Sequence, residues 1–232
     1  TRTKSRQQIR EEFDRLRAQV NIGGAGNNIV ASISTTRENL MPVLALVAEV
    51  LKEPAFPESE FEELRRQQIA GIESQKSEPV TLAFTEFQRR MTPYPKGHPL
   101  ETTTIDEDIA TMRGLTLAQV KAVYTELVGA SYGDLSIVGD FDRAAVETWA
   151  RTSFASWRSP RPFARLERRF FDTPQFTASI ETPDKANAFF VAGQNLRIRD
   201  DQPDYAALTI GNFILGGGVL NSRLATRIRQ RD

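Results

Sequence analysis

Two stretches of this sequence pass through the same order of elements. NNIVASIST, beginning at residue 27, leads through TREN into the apolar run MPVLALVAEVL; NAFFVAGQN, beginning at residue 187, leads through LRIRDDQPD into YAALTIGNFIL. Each opens with a strand-like stretch, turns through charged residues and closes with an apolar run of helical length. A recurrence at about 160 residues is far longer than a solenoid repeat, so it predicts duplication of a whole domain. Helices and strands in this order predict an α+β fold, an antiparallel or mixed sheet with helices packed on it, rather than a helical bundle.

Local signals place the other elements. Ser5 with Gln8 makes a capping box, and Ile9, Phe13, Leu16 and Val20 then recur at helical steps, so the first helix is expected to run until the glycines and asparagines of NIGGAGNN. A strand over IVASIST and a helix from RENL to Leu51 follow, and Pro54 and Pro57 break that helix. A charged helix is expected from Glu58 to about Ser77, closed by Pro79. MTPYPKGHPLETT is a loop, and Thr104 with Glu107 and Thr116 with Gln119 cap the next two helices. GDLSIVGDFD is expected to be a strand that delivers Asp142 as the N-cap of RAAVETWARTSFASW. RSPRPFARLERRFFDTPQ has the prolines and charge of a linker, on whose far side Phe170 and Phe171 would anchor it to a domain surface. The expected boundaries are therefore a first domain over 1–157, a linker over 158–174 and the start of a second, incomplete domain over 175–232.

Charge and composition remove several function classes. Thirty basic side chains balance thirty acidic ones, so no overall field gathers nucleic acid or an anionic membrane. No stretch approaches the roughly 18 apolar residues of a membrane span. Cysteine is absent and His98 is the single histidine, which leaves the chain poorly equipped to bind zinc by itself. His98 reads as a loop residue. Asp106, Glu107 and Asp108 cluster at a helix start, where the macrodipole favours them without any acid-base role.

The ending, GGGVLNSRLATRIRQRD, has glycines but no phosphate-loop lysine, and the glycines follow an apolar helix rather than a strand. Gly216 to Gly218 are expected to end one helix and Asn221 or Ser222 to cap the next. In that helix Leu224 and Ile228 share a face, and Arg223, Arg227 and Arg231 form a solvated stripe at four-residue steps. Arg229 points away from the stripe.

LGGGVLNSRLATRIR resembles the segment near the start of the second homologous domain in the pitrilysin/insulinase family of zinc metallopeptidases. TKSRQQIREEFDRL, VLKEPAFPESEFEELRRQQ, YPKGHP and DLSIVGDFD are similar to other landmarks of that family in the same order, so the resemblance spans nearly the whole chain. It implies tandem α+β domains forming half of a clamshell chamber around an unfolded peptide. Catalytic halves of the family carry H-x-x-E-H, two zinc-binding histidines and a general-base glutamate, with a further glutamate ligand downstream. The H-x-x-E-H is not in this sequence. The family spacing to the downstream ligand, taken from Arg65 and from Pro79, falls both times on Gly71, which cannot ligate a metal. Glu73 is the nearest candidate metal ligand, but a slip of two residues turns a helical side chain by about 200°.

The resemblance therefore implies the non-catalytic, chamber-forming and substrate-binding half, with no catalytic residues and no cofactor of its own. The zinc would lie in a catalytic half, supplied by the same polypeptide or by a partner subunit. Arg229 matches a family arginine that, with a tyrosine further on and beyond Asp232, holds the substrate backbone and the developing oxyanion. Without that tyrosine the chain is expected to be inert. Two alternatives stay open: a catalytic half whose H-x-x-E-H precedes Thr1, and a purely structural relative of the respiratory-complex core-protein kind. Implied partners are the catalytic half and a peptide substrate, with no nucleic acid and no membrane; self-association is compatible, and bacterial relatives point to a periplasmic or secreted location.

Overall fold

A computed structural model describes residues 1–25, 28–218 and 222–231, the side chains of residues 25 and 229–231 excepted. The fold is α+β, mostly helical, with one two-stranded antiparallel sheet among the described residues. The chain packs as two units interleaved in sequence. One comprises Thr1–Lys76 and Thr104–Arg165, the other Ser77–Thr103 and Leu166–Asp232.

The first unit is organised around a hairpin and one apolar helix. α1 (Arg6–Arg15) begins at the Ser5/Gln8 capping box but stops earlier than its spacing predicts. Leu16 caps it, Arg17 takes φ 49° and the chain turns into β1 (Gln19–Ala25), so Val20 belongs to a strand and not to the helix. β1 pairs with β2 (Asn28–Ser34), with Val20 opposite Ile33 and Ile22 opposite Ala31. Those four side chains share one face of the pleat and pack with Phe13 and Leu51 against a core of Leu16, Ala18, Val43 and Val47. Val43, in α2 (Leu40–Lys52), is completely buried.

Polar contacts tie the remaining helices of this unit to α2 and to each other. α3 (Glu58–Ser74) packs on α5 (Ile105–Gly114). The Tyr124 hydroxyl, on α6 (Leu117–Leu127), donates to the Leu51 carbonyl at the end of α2, and its burial raises the phenol above its ordinary pKa. Lys52 Nζ donates to the Ser153 carbonyl of α7 (Arg143–Phe154) at 2.7 Å. The capping boxes at Thr104 and Thr116 and the Asp142 cap of α7 all form as expected. The expected strand over GDLSIVGDFD does not. The segment lacks regular secondary structure, and Val138 is fully exposed. Alternation supplies a strand's two faces, but a strand also needs a hydrogen-bonded neighbour, and none flanks this one among the described residues.

One carboxylate holds the amino-terminal turn. Glu49 accepts hydrogen bonds from Lys4 Nζ (2.7 Å), Thr1 Oγ1 (2.6 Å) and Thr3 Oγ1 (2.5 Å). The lysine bond first, then the two hydroxyls, lower its pKa from 4.5 to about 2. Because the folded value is depressed, the stabilisation is complete above the unfolded value and is lost as pH falls from about 4.5 towards 2. With the side chain 23% exposed, solvent screening reduces the effect; Glu49→Gln is expected to cost about 1–2 kcal/mol at pH 7. Urea titrations at pH 7 and pH 2.5 check this, since the gap between variant and parent should shrink at the lower pH.

The second unit is built on α4 (Pro79–Met91), which Pro79 opens at its first turn instead of only ending the helix before it. Chain without regular secondary structure, from residue 166 to 202, is fastened to this helix. Lys185 pairs with Glu78 at 2.7 Å, Phe189 packs on Phe84, and Arg90 lies over the Phe176 ring. Asn195 Nδ2 donates both to the Met91 carbonyl at the end of α4 (2.8 Å) and to the Phe171 carbonyl (3.0 Å), satisfying an acceptor the helix cannot. NAFFVAGQN, expected as a strand, is part of this irregular stretch and has no ladder, again for want of a paired neighbour among the described residues. α8 (Pro203–Asn212) follows, and it is exposed along its whole length. Among the described residues no helix is long and apolar enough to cross a membrane.

Candidate functional site

The glycine-rich ending is where the sequence concentrates its candidate function. α8 widens at its end into a π-helical turn over Phe213–Gly217, so Gly216 and Gly217 lie inside the last turn and Gly218 caps it. Gly218 donates its N–H to the Phe213 carbonyl at 2.8 Å. A Cβ on Gly218 would stand 3.1 Å from that same oxygen, and one on Gly216 would stand 3.2 Å from Leu224 Cδ1. Missing side chains let the next helix sit against this turn.

That next helix begins at Ser222. Its hydroxyl accepts the Ala225 N–H at 3.2 Å, and its carbonyl accepts the Thr226 N–H at 3.0 Å. α9 (Arg223–Ala225) then passes directly into a second π-helical stretch, Thr226–Arg231. Of the two expected caps, Ser222 makes the bond; Asn221 lies outside the described residues. Leu224 and Ile228 are 47% and 66% exposed, and Arg223 and Arg227 are exposed. The backbone of Arg229 lies in the π-helical stretch, while its side chain, like that of Arg231, is outside the described residues.

The candidate metal-ligating side chains are otherwise engaged. Gly71 sits within α3, and Glu73, two residues on, accepts from Arg113 of α5 at 2.8 Å with both side chains substantially exposed. Asp106 pairs with Lys76 at 2.6 Å, and Glu107 closes the Thr104 capping box. His98 belongs to the YPKGHP loop of the second unit. Its Nδ1 accepts the Leu100 N–H at 3.0 Å, and its ring stacks on Tyr94 at 4.5 Å between centroids. Tyr94 also accepts the Arg169 N–H and meets Phe171 edge-on, so Phe171 does anchor the irregular segment that follows residue 166, while Phe170 lies under Arg197. Among the described residues no three histidine, cysteine or acidic side chains come together in a way that could hold a metal ion. The residues described do not fit a zinc ion.

Tyr94, whose contacts with Arg169 and Phe171 reach across about 75 residues of chain, carries no signal in the spacing, and Ser222 is visible there only as a cap. The burial of Ser222, at 2% exposure, is the feature that spacing could not reveal.

No curated protein sequence matches this chain. The family model described as Peptidase M16 inactive domain matches residues 114–232. Among solved structures, the crystal structure of a peptidase M16 inactive domain from Pseudomonas fluorescens is 30% identical with a TM-score of 0.69, covering 98% of this chain and 54% of that one. This chain thus spans about half the length of that relative. Together the family match and the structural likeness agree with the pitrilysin/insulinase resemblance and with its non-catalytic half: the chain belongs to the peptidase M16 inactive-domain family.

Proposed function

We propose that this chain is the non-catalytic half of a zinc-dependent endopeptidase for unfolded peptides, walling a chamber and holding substrate while an H-x-x-E-H half performs the chemistry. The observation that carries the reading is in α3. The residue at the family's ligand position is Gly71, and the nearest carboxylate in sequence, Glu73, is committed to Arg113. A helix arranged this way serves as scaffold. Arg229 is the residue assigned to substrate, its guanidinium acting as a fixed donor to a peptide carbonyl. Residues 1–157 and 175–232 are read as two copies of one domain type joined by 158–174.

The test is reconstitution. The chain alone, dialysed against buffer without chelator, is expected to keep no stoichiometric zinc and to leave an internally quenched, unstructured peptide uncut. Mixed or co-expressed with a family half that carries H-x-x-E-H, it should co-purify with that half and raise turnover of the peptide. Stoichiometric zinc that disappears in Glu73→Gln would overturn the reading in favour of a catalytic half. Co-purification without any gain in turnover would favour a purely structural role.

A further inference from the structure

We infer that Ser222 is a positioning residue for Arg229; this rests on the substrate-binding role proposed for Arg229 above. Ser222 is the one buried polar residue among those described, at 2% exposure. It sits at the start of the helix that carries Arg229, and its hydroxyl closes the first turn through the Ala225 N–H. The described apolar packing of that helix is thin. Its described apolar side chains, Leu224 and Ile228, are about half and two-thirds exposed, so no buried apolar stripe sets its orientation. The second restraint is the seat of Leu224 Cδ1 against Gly216, where any Cβ would intrude at 3.2 Å.

Orientation at this joint matters because of leverage. Residue 229 lies seven positions beyond the cap, about 10 Å along the helix, so a tilt of about 10° at Ser222 swings it by about 2 Å. Displacements of about 1 Å in a substrate-holding group can cost as much as about 100-fold in rate. The helix also changes from α to π winding at Thr226, which rotates the positions beyond it relative to an uninterrupted α-helix. The phase at which residue 229 is presented therefore depends on where the helix begins, and Ser222 fixes that start.

The experiment is a double-mutant cycle in the pair reconstituted with the H-x-x-E-H half. Ser222→Ala is expected to lower kcat/KM about tenfold, and Ser222→Thr, which keeps a capping hydroxyl, to recover most of it. In an Arg229→Ala background, Ser222→Ala should change the rate less than twofold, since there is no longer a guanidinium to misplace. Equal tenfold losses in both backgrounds would show a role in general folding and overturn the inference. If Arg229→Ala itself leaves kcat/KM unchanged, the reading of Arg229 fails first. Should Ser222→Ala not fold, Gly216→Ala disturbs the same joint from the other side and is run through the same cycle.

Discussion

Gly129→Ala is expected to destabilise the first unit by about 3 kcal/mol or more. Gly129 has no left-handed backbone angle to explain it; the constraint is space. A Cβ built there would stand 2.3 Å from the Ser159 nitrogen and 2.7 Å from the Arg158 carbonyl carbon, both backbone atoms. Side chains rotate away from an intruding methyl, but backbone can yield only by moving its whole segment. That segment is pinned: Ala130 donates to the Trp157 carbonyl at 2.7 Å, Arg161 donates its N–H to the Glu126 carbonyl at 3.2 Å, and Arg161 pairs with Glu126 at 2.7 Å. The methyl must break this closure between the end of α6 and residues 157–161. With a urea slope of about 2 kcal/mol/M, the midpoint should fall by roughly 1.5 M. Gly71→Ala is the contrasting control. Nothing lies within 4 Å of its Cβ position inside α3, so that change should raise stability by about 0.5–1 kcal/mol. A midpoint for Gly129→Ala within 0.3 M of the parent, about what a neutral surface change produces, would show that the segment can shift aside.

What the sequence disclosed divides by range. The caps at Ser5, Thr104, Thr116 and Asp142 are written within four residues and form as read. Val20 satisfied both the helical step from Leu16 and the alternation with Ile22, and the choice between them was made by the backbone at Arg17, which spacing does not encode. Pro79 is similar. A proline both ends one helix and opens another, and here the short 3₁₀ turn Gln75–Ser77 leads straight into α4. GDLSIVGDFD and NAFFVAGQN carry strand alternation but no ladder, because pairing depends on a second segment that no local pattern specifies. Gly129, Tyr94 and Asn195 act across 24 to 104 residues of sequence, and each was silent in it. The candidate site shows the same division. The cap at Ser222 was local and visible; its burial, and the seat of Leu224 against Gly216, were not.

Arg229→Ala is the activity counterpart, with an expected loss of about 10²–10³ in kcat for the reconstituted pair and little change in stability. The size follows from where the donor acts. A preorganised donor aimed at charge that appears only in the transition state contributes about 3–4 kcal/mol, and KM moves less than kcat because the ground-state carbonyl makes weaker use of it. Arg229→Lys separates charge from geometry: the ammonium keeps the charge but not the planar two-donor fork, so an intermediate loss of about tenfold or more is expected. Arg223→Ala supplies the neighbouring control, since Arg223 is exposed on the adjacent stripe and should alter kcat less than twofold. Equal losses for Arg223→Ala and Arg229→Ala would instead mean that the helix attracts substrate by its summed positive charge. Raising salt distinguishes the two cases, because diffuse attraction is screened within about 10 Å at 0.1 M while a donor in direct contact is not. A rate defect in Arg229→Ala that persists at 0.5 M salt therefore identifies a directed hydrogen bond at residue 229, and one that vanishes identifies a field.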